Sequence, residues 1–146
     1  MTISISIHAI LSQVLAQSAL RSLSDGQRPP MLNPDQSPAL RALVRGAFAR
    51  VCLHMGPALT DCNADLVDDP ASDLLQIETD DRRTGNPVAL RLLIEHAIGS
   101  HVLSEIYAGT GDEASALFAD DFEASLRTLR AHTRLPVPSC RIRPYP

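Results

Sequence analysis

"NPVALRLLIEHAIGSHVLSEIYAGTGDEASALFADDFEASLRTLRAH", residues 86–132, decides the fold. It opens on Asn86-Pro87, a capping side chain followed by the residue whose missing N–H costs nothing in a first helical turn. Apolar residues then run to Ala108, and Gly109 is the expected end of the helix. "TGDE" (110–113) matches the T-x-x-E capping box, in which Thr110 takes the amide of the third residue and Glu113 reaches back. The following helix is expected to bury Leu117, Phe118, Phe122, Leu126 and Leu129. Arg127, Arg130 and His132 suit its C-terminal end, where the helix dipole favours cations. Two helices joined by so short a turn form an antiparallel αα-hairpin.

The first of these helices is apolar on nearly every side. Leu92, Leu93, Ile94, Ala97, Ile98, Val102, Leu103 and Ile106 leave no clear polar face, so the helix is expected to be covered on several sides. A chain of 146 residues with four helices rarely encloses one of them fully, and part of this surface is expected to meet another subunit. Its ionisable residues do not form a ligand set. A dinuclear bundle site wants Glu-x-x-His, whereas Glu95 and His96 are adjacent. His96 and His101, at about 100° per residue, point roughly 140° apart. Only His101 and Glu105 share a face, at the spacing of a side-chain pair. They read as polar residues at a helix or subunit contact.

Upstream, Ser37-Pro38 starts another helix, with Leu40, Leu43, Val44, Ala47, Val51 and Met55 as its buried stripe and Arg41, Arg45 and Arg50 off it; Gly56-Pro57 stops it. Residues 5–23 form the first helix, with Ile7, Ile10, Leu11, Val14, Leu15, Ala19 and Leu23 as its stripe. "ISISI" (3–7) alternates with period two, so a short extended start is open as well. "DLLQIET" (73–79) is the strand candidate and needs a partner, either that N-terminal run or a second subunit. "SDGQRPPMLNPDQSP" (24–38) holds four prolines and one glycine and reads as a loop. "RLPVPSCRIRPYP" (134–146) holds four prolines and three arginines and reads as an extended arm.

The fold class that follows is mainly α. It is a four-helix arrangement with a C-terminal antiparallel αα-hairpin, at most a short β element near 73–79, and an extended Pro/Arg-rich arm. Residues 1–133 form a single helical domain with loops at 24–38 and 57–85, and 134–146 form the arm. Scarce aromatics and no tryptophan leave a core of Leu, Ile, Val and Ala, which suits packed helices.

The net charge of −4 argues against a general nucleic-acid binder. It is unevenly spread: eight acids and no base from Thr60 to Asp81, five arginines and no acid from Ala124 onward. Such ends can pair head to tail between copies, although two solvated faces are the commoner meaning. Cys52, Cys62 and Cys140 are odd in number and fit no zinc spacing, so reduced thiols are expected, with Cys52 as a small core residue. Residues 1–20 hold no charged side chain, but they lack a basic start and are broken by serines and glutamines, unlike an export signal or a membrane span. Asp61, Asn63 and Asp65 resemble the opening of a calcium loop, yet Leu66 stands where the turn needs glycine and Ser72 where a bidentate glutamate belongs. No nucleophile elbow, phosphate loop or dinucleotide fingerprint occurs.

Taken in order, "PALRALVRGAFARVCLHM" (38–55), an Asp-rich loop with "LLQIET" (74–79), the hairpin quoted above and the closing "RIRPYP" (141–146) resemble the small α-helical neck proteins of tailed phages and prophages. These are head–tail connectors or adaptors, and the chain is most similar to versions carried in bacterial genomes. The resemblance spans roughly residues 38–146. Fewer aromatics at "HVLSEIY" and the proline-rich stretch 28–38 depart from it. It implies a non-enzymatic virion subunit that forms a homo-oligomeric ring with portal or tail proteins. Such a subunit resides in the bacterial cytoplasm during assembly and then in the virion, without cofactor, metal, membrane or specific nucleic acid.

The expected contact residues are Arg141, Arg143 and Tyr145 of the arm, of types that dominate protein interfaces, together with His101 and Glu105. Two other readings stay open. One is a helical regulator or adaptor using Arg41, Arg45 and Arg50 to bind a peptide or nucleic acid. The other is a metal- or acid-dependent enzyme using His54, His96, His101 and Glu105, which would need His54 to be brought next to the His101–Glu105 pair.

Overall fold

The computed structural model describes residues 1–25, 37–62, 73–81, 85–111 and 113–133. The elements are β1 (Thr2–Ser6), α1 (Ile7–Asp25), α2 (Ser37–Met55), a 3₁₀ turn (Gly56–Ala58), β2 (Leu59–Cys62), β3 (Leu74–Thr79), α3 (Pro87–Thr110) and α4 (Ala114–Thr133). The chain is mainly helical, with the αα-hairpin at its C-terminal side and one small sheet. The arm 134–146, with Arg141, Arg143 and Tyr145, lies outside the described residues. Among the described residues no helix is long and apolar enough to cross a membrane.

The N-terminal alternation is a strand, and it is the partner that 73–79 needed. β1 pairs antiparallel with β3, placing Ile3 opposite Ile77 and Ile5 opposite Leu75. Period two sends these four side chains to one face, where all are buried. Thr2, Ser4 and Glu78 on the other face are exposed. The β element is larger than one strand and its partner, because Leu59–Cys62 joins the far edge of β3, giving the order β1-β3-β2. That segment fell within the expected 57–85 loop.

α1 therefore begins at Ile7 rather than near residue 5. Its start is built by two side chains. Ser6 Oγ accepts from the Ala9 amide at 3.2 Å. Asp73, just before β3, accepts from Ser6 Oγ at 2.8 Å and from the His8 amide at 3.0 Å. The Asp73 carbonyl also takes the Ile7 amide at 2.8 Å. A carboxylate at this end satisfies unpaired amides and faces the positive end of the dipole. Arg41 of α2 reaches the same carboxylate at 3.4 Å, so Asp73 joins sheet, α1 and α2.

The expected stripe of α1 holds only in its first half. Ile7, Ile10 and Val14 are buried, and Ser18 continues the row, but Leu15, Ala19 and Leu23 are exposed. The run 11, 15, 19, 23 climbs in steps of four, and each step turns about 400°, drifting about 40° off the face. α2 follows its expected stripe: Leu40, Val44, Ala47, Val51 and Met55 are buried, joined by Phe48 and Cys52. Gly56, with φ +52°, ends it in the left-handed region that glycine tolerates.

α3 carries the expected cap, with Asn86 Oδ1 accepting from the Val88 amide at 2.9 Å. Its end differs from expectation. The helix runs through Gly109 to Thr110, and Gly111 (φ 71°) is the left-handed cap, donating to the carbonyls of Tyr107 and Ala108. Thr110 lies inside α3 and α4 starts at Ala114, while the Thr110 side chain and residue 112 of the expected capping box lie outside what is described. On α4, Phe122, Leu126 and Leu129 are buried and Phe118 half-buried, while Leu117 is exposed because it lies well round the helix from that row.

The middle of α3 is enclosed by its own chain. Ser100 to Ser104 are buried one after another, which in a helix means cover on every side, and α1, α2 and α4 all pack on it. The surface expected to meet another subunit is taken up internally there. The large apolar side chains that α3 leaves exposed, Val88 and Leu92, lie in its first half.

Candidate functional site

The ionisable residues of α3 separate as their spacing requires. His101 points inward and its ring lies 4.7 Å from that of Phe122, tilted by 36°. Burial pushes its pKa below the ordinary 6.5, and the Arg50 charge adds to this, while Glu105 pulls the other way. His101 is therefore a neutral ring packed on an aromatic one. Glu105 is exposed. It acts on His101 through its charge, and among the described residues no hydrogen bond or ion pair joins the two.

His96 points outward, to α4. Its Nε2 lies 2.9 Å from Asp121 Oδ2, and Ser100 Oγ donates to the same oxygen at 2.7 Å. Asp121 thus clamps two residues of α3 that stand one turn apart. A serine nucleophile would need the imidazole facing its hydroxyl, with the carboxylate behind the ring. Here serine and histidine both end on the carboxylate, an order that fastens two helices together. The spacing of residues 96, 100 and 121 carries no motif, and sequence reasoning did not find this cluster.

His54, which an enzyme would need beside His101, is held elsewhere. Its Nδ1 lies 2.9 Å from the Arg50 carbonyl, which fixes that nitrogen as the protonated one. Among the described residues no three of His, Cys, Asp and Glu come together as metal ligands. Of the arginines on α2, Arg41 is engaged with Asp73.

Beside the Asp121 clamp, α1, α3 and α4 border a shallow groove of about 390 Å³, lined by Gln17, Leu20, Arg21, His96, Phe118 and Asp121. Two of its lining residues, Phe118 and Arg21, both pack on Tyr107, which is buried. Tyr107 and Phe118 have centroids 5.5 Å apart at 20°, and the Arg21 guanidinium sits 5.5 Å from the Tyr107 ring centre. The Tyr107 hydroxyl donates to Ser18 Oγ at 3.4 Å. Cation, ring and ring hold one another in place beside the groove, and Leu20 lines it as well. A smaller cleft of about 270 Å³, with Leu90, Leu93 and His132 in its lining, lies between the start of α3 and the end of α4.

No protein-family profile, curated protein or solved structure matches the chain.

Proposed function

We propose that this chain is a non-enzymatic assembly protein, a head–tail connector subunit of a tailed phage or prophage. It acts by packing against further copies of itself and against portal or tail proteins. The observation that supports this reading is a set of exposed leucines on α1, α3 and α4, the three helices that border the groove, with Leu20 in its lining. Leu20 is 67% exposed and Leu23 81% on α1, Leu92 53% on α3 and Leu117 65% on α4. Leu23 is one turn from Leu20, Leu92 one turn from His96, and Leu117 next to Phe118. Single surface leucines are ordinary, but exposed leucines on all three helices that border one groove suit a contact surface.

The polar groups around the groove support contact rather than chemistry. His96 and Ser100 are used by Asp121, and Arg21 covers Tyr107. Arg141, Arg143 and Tyr145 of the arm are the proposed anchors on a neighbour, with acidic residues 61–81 as a complementary surface. An acidic and a basic region at different places on one subunit suit head-to-tail contacts, which close into rings. The subunit would be made in the bacterial cytoplasm and carried into the virion.

Sedimentation and native mass spectrometry over a concentration range, with and without the portal protein, test the reading. Assembly that is lost in Leu20→Ser/Leu117→Ser and on deletion of residues 134–146 supports it. A chain that stays monomeric with portal present, or one retained on DNA in a salt-dependent way, overturns it.

A further inference from the structure

Cys52 and Cys62 stand ten residues apart, at a spacing no metal or redox motif uses. The fold nevertheless brings them together. Gly56 turns the chain at the end of α2, and β2 returns against that helix. Cys52 is buried in the core, and Cys62, at the last position of β2, packs half-buried against the same core. Cys62 comes near enough to Cys52 to act on its thiol through charge and hydrogen bonding. Both are free. Burial, then the charge and hydrogen bond of Cys62, push the Cys52 thiol up to about 12. Cys52 is thus the protonated inner partner and Cys62 the one that reagents can reach.

We propose that Cys52 and Cys62 form a redox pair, converted to a disulfide by low-molecular-weight disulfides such as oxidised glutathione, and that the bond locks β2 onto α2. The Cys62 thiolate attacks one sulfur of oxidised glutathione. That S–S bond breaks, a glutathione thiolate leaves, and Cys62 carries a mixed disulfide. Cys52 then gives its proton to water and attacks the Cys62 sulfur, expelling the second glutathione. Two protein thiols lose two electrons, and one glutathione disulfide is reduced to two glutathione thiols. The first step removes the Cys62 charge that helps hold the Cys52 proton. Burial remains, which makes ring closure the slow step.

The bond matters for β2 more than for the core. β2 is a four-residue edge strand whose register with β3 shifts between Leu59 and Asp61. It is held by one strand neighbour and by the end of α2. A disulfide closing so short a loop confines it directly.

The test uses the full chain with Cys140→Ser, so that only this pair can react. After treatment with oxidised glutathione and alkylation of free thiols, cyanogen bromide cleavage at Met55 separates the two cysteines. Fragments 32–55 and 56–146 are expected to stay joined until reductant is added. The thermal midpoint of the oxidised chain should rise. The Cys62→Ser/Cys140→Ser chain should give separate fragments and no rise. Separate fragments from the parent chain, with thiols unmodified or Cys62 stalled as its glutathione adduct, overturn the pair. Linkage with an unmoved midpoint overturns the lock.

Discussion

The two halves of α1 are held in opposite ways. The first half is fastened by a strand, a serine and an aspartate, and it buries Ile7, Ile10 and Val14. The second half buries Ser18 beneath the Tyr107 hydroxyl and turns Leu20 and Leu23 outward. One helix thus has an end that makes the fold and an end that offers a surface. Stability and assembly should accordingly respond to different residues.

The largest expected loss is at the sheet end. Ile5→Ala removes a fully buried side chain paired across the sheet with Leu75, and should cost about 2–5 kcal/mol in urea unfolding. Asp73→Ala removes the cap of α1 and the partner of Arg41 together, and should cost about 1–2 kcal/mol by the same measurement. His101 is buried in the middle of α3. Its folded pKa is lowered, so the unfolded chain binds the proton more readily. Its contribution is complete above about pH 6.5 and is lost as pH falls below that value. His101→Gln should therefore flatten the decline of stability between about pH 7 and pH 5. The exposed clamp is worth less, and His96→Ala should cost under about 1 kcal/mol. Leu23→Ser should change stability within about 0.5 kcal/mol while weakening assembly. If Leu23→Ser unfolds the chain, or Asp73→Ala leaves its stability unmoved, the division of α1 is wrong.

Features that depend on neighbours in sequence were legible in it. Asn86-Pro87 marks the start of α3, and the glycines after Ala108 mark the region of its end, although the left-handed residue is Gly111 rather than Gly109. The alternation at residues 3–7 and 73–79 gives both strands of the central pair. Features made by distant residues were hidden. Asp73 lies 67 residues from Ser6, and no local pattern reports a cap supplied by another element. Asp121 meets His96 and Ser100 only because the hairpin folds back. β2 reads "LTDC", with no alternation, and is a strand because β3 offers it an open edge. The cover around the middle of α3 is likewise a tertiary fact that the apolar run alone does not report.

The partner of β1 and the carboxylate that caps α1 come from the same short stretch, Asp73 to Thr79. Residues 2–25 are therefore made long before the groups that fix them. At synthesis rates of about 5–20 residues per second, the N-terminal strand waits for seconds, while hairpins and helices close in microseconds. The C-terminal hairpin needs only its own neighbour. During that wait the Ile-Ser-Ile-Ser-Ile run is an unpaired strand, open to a chaperone or to an unwanted partner.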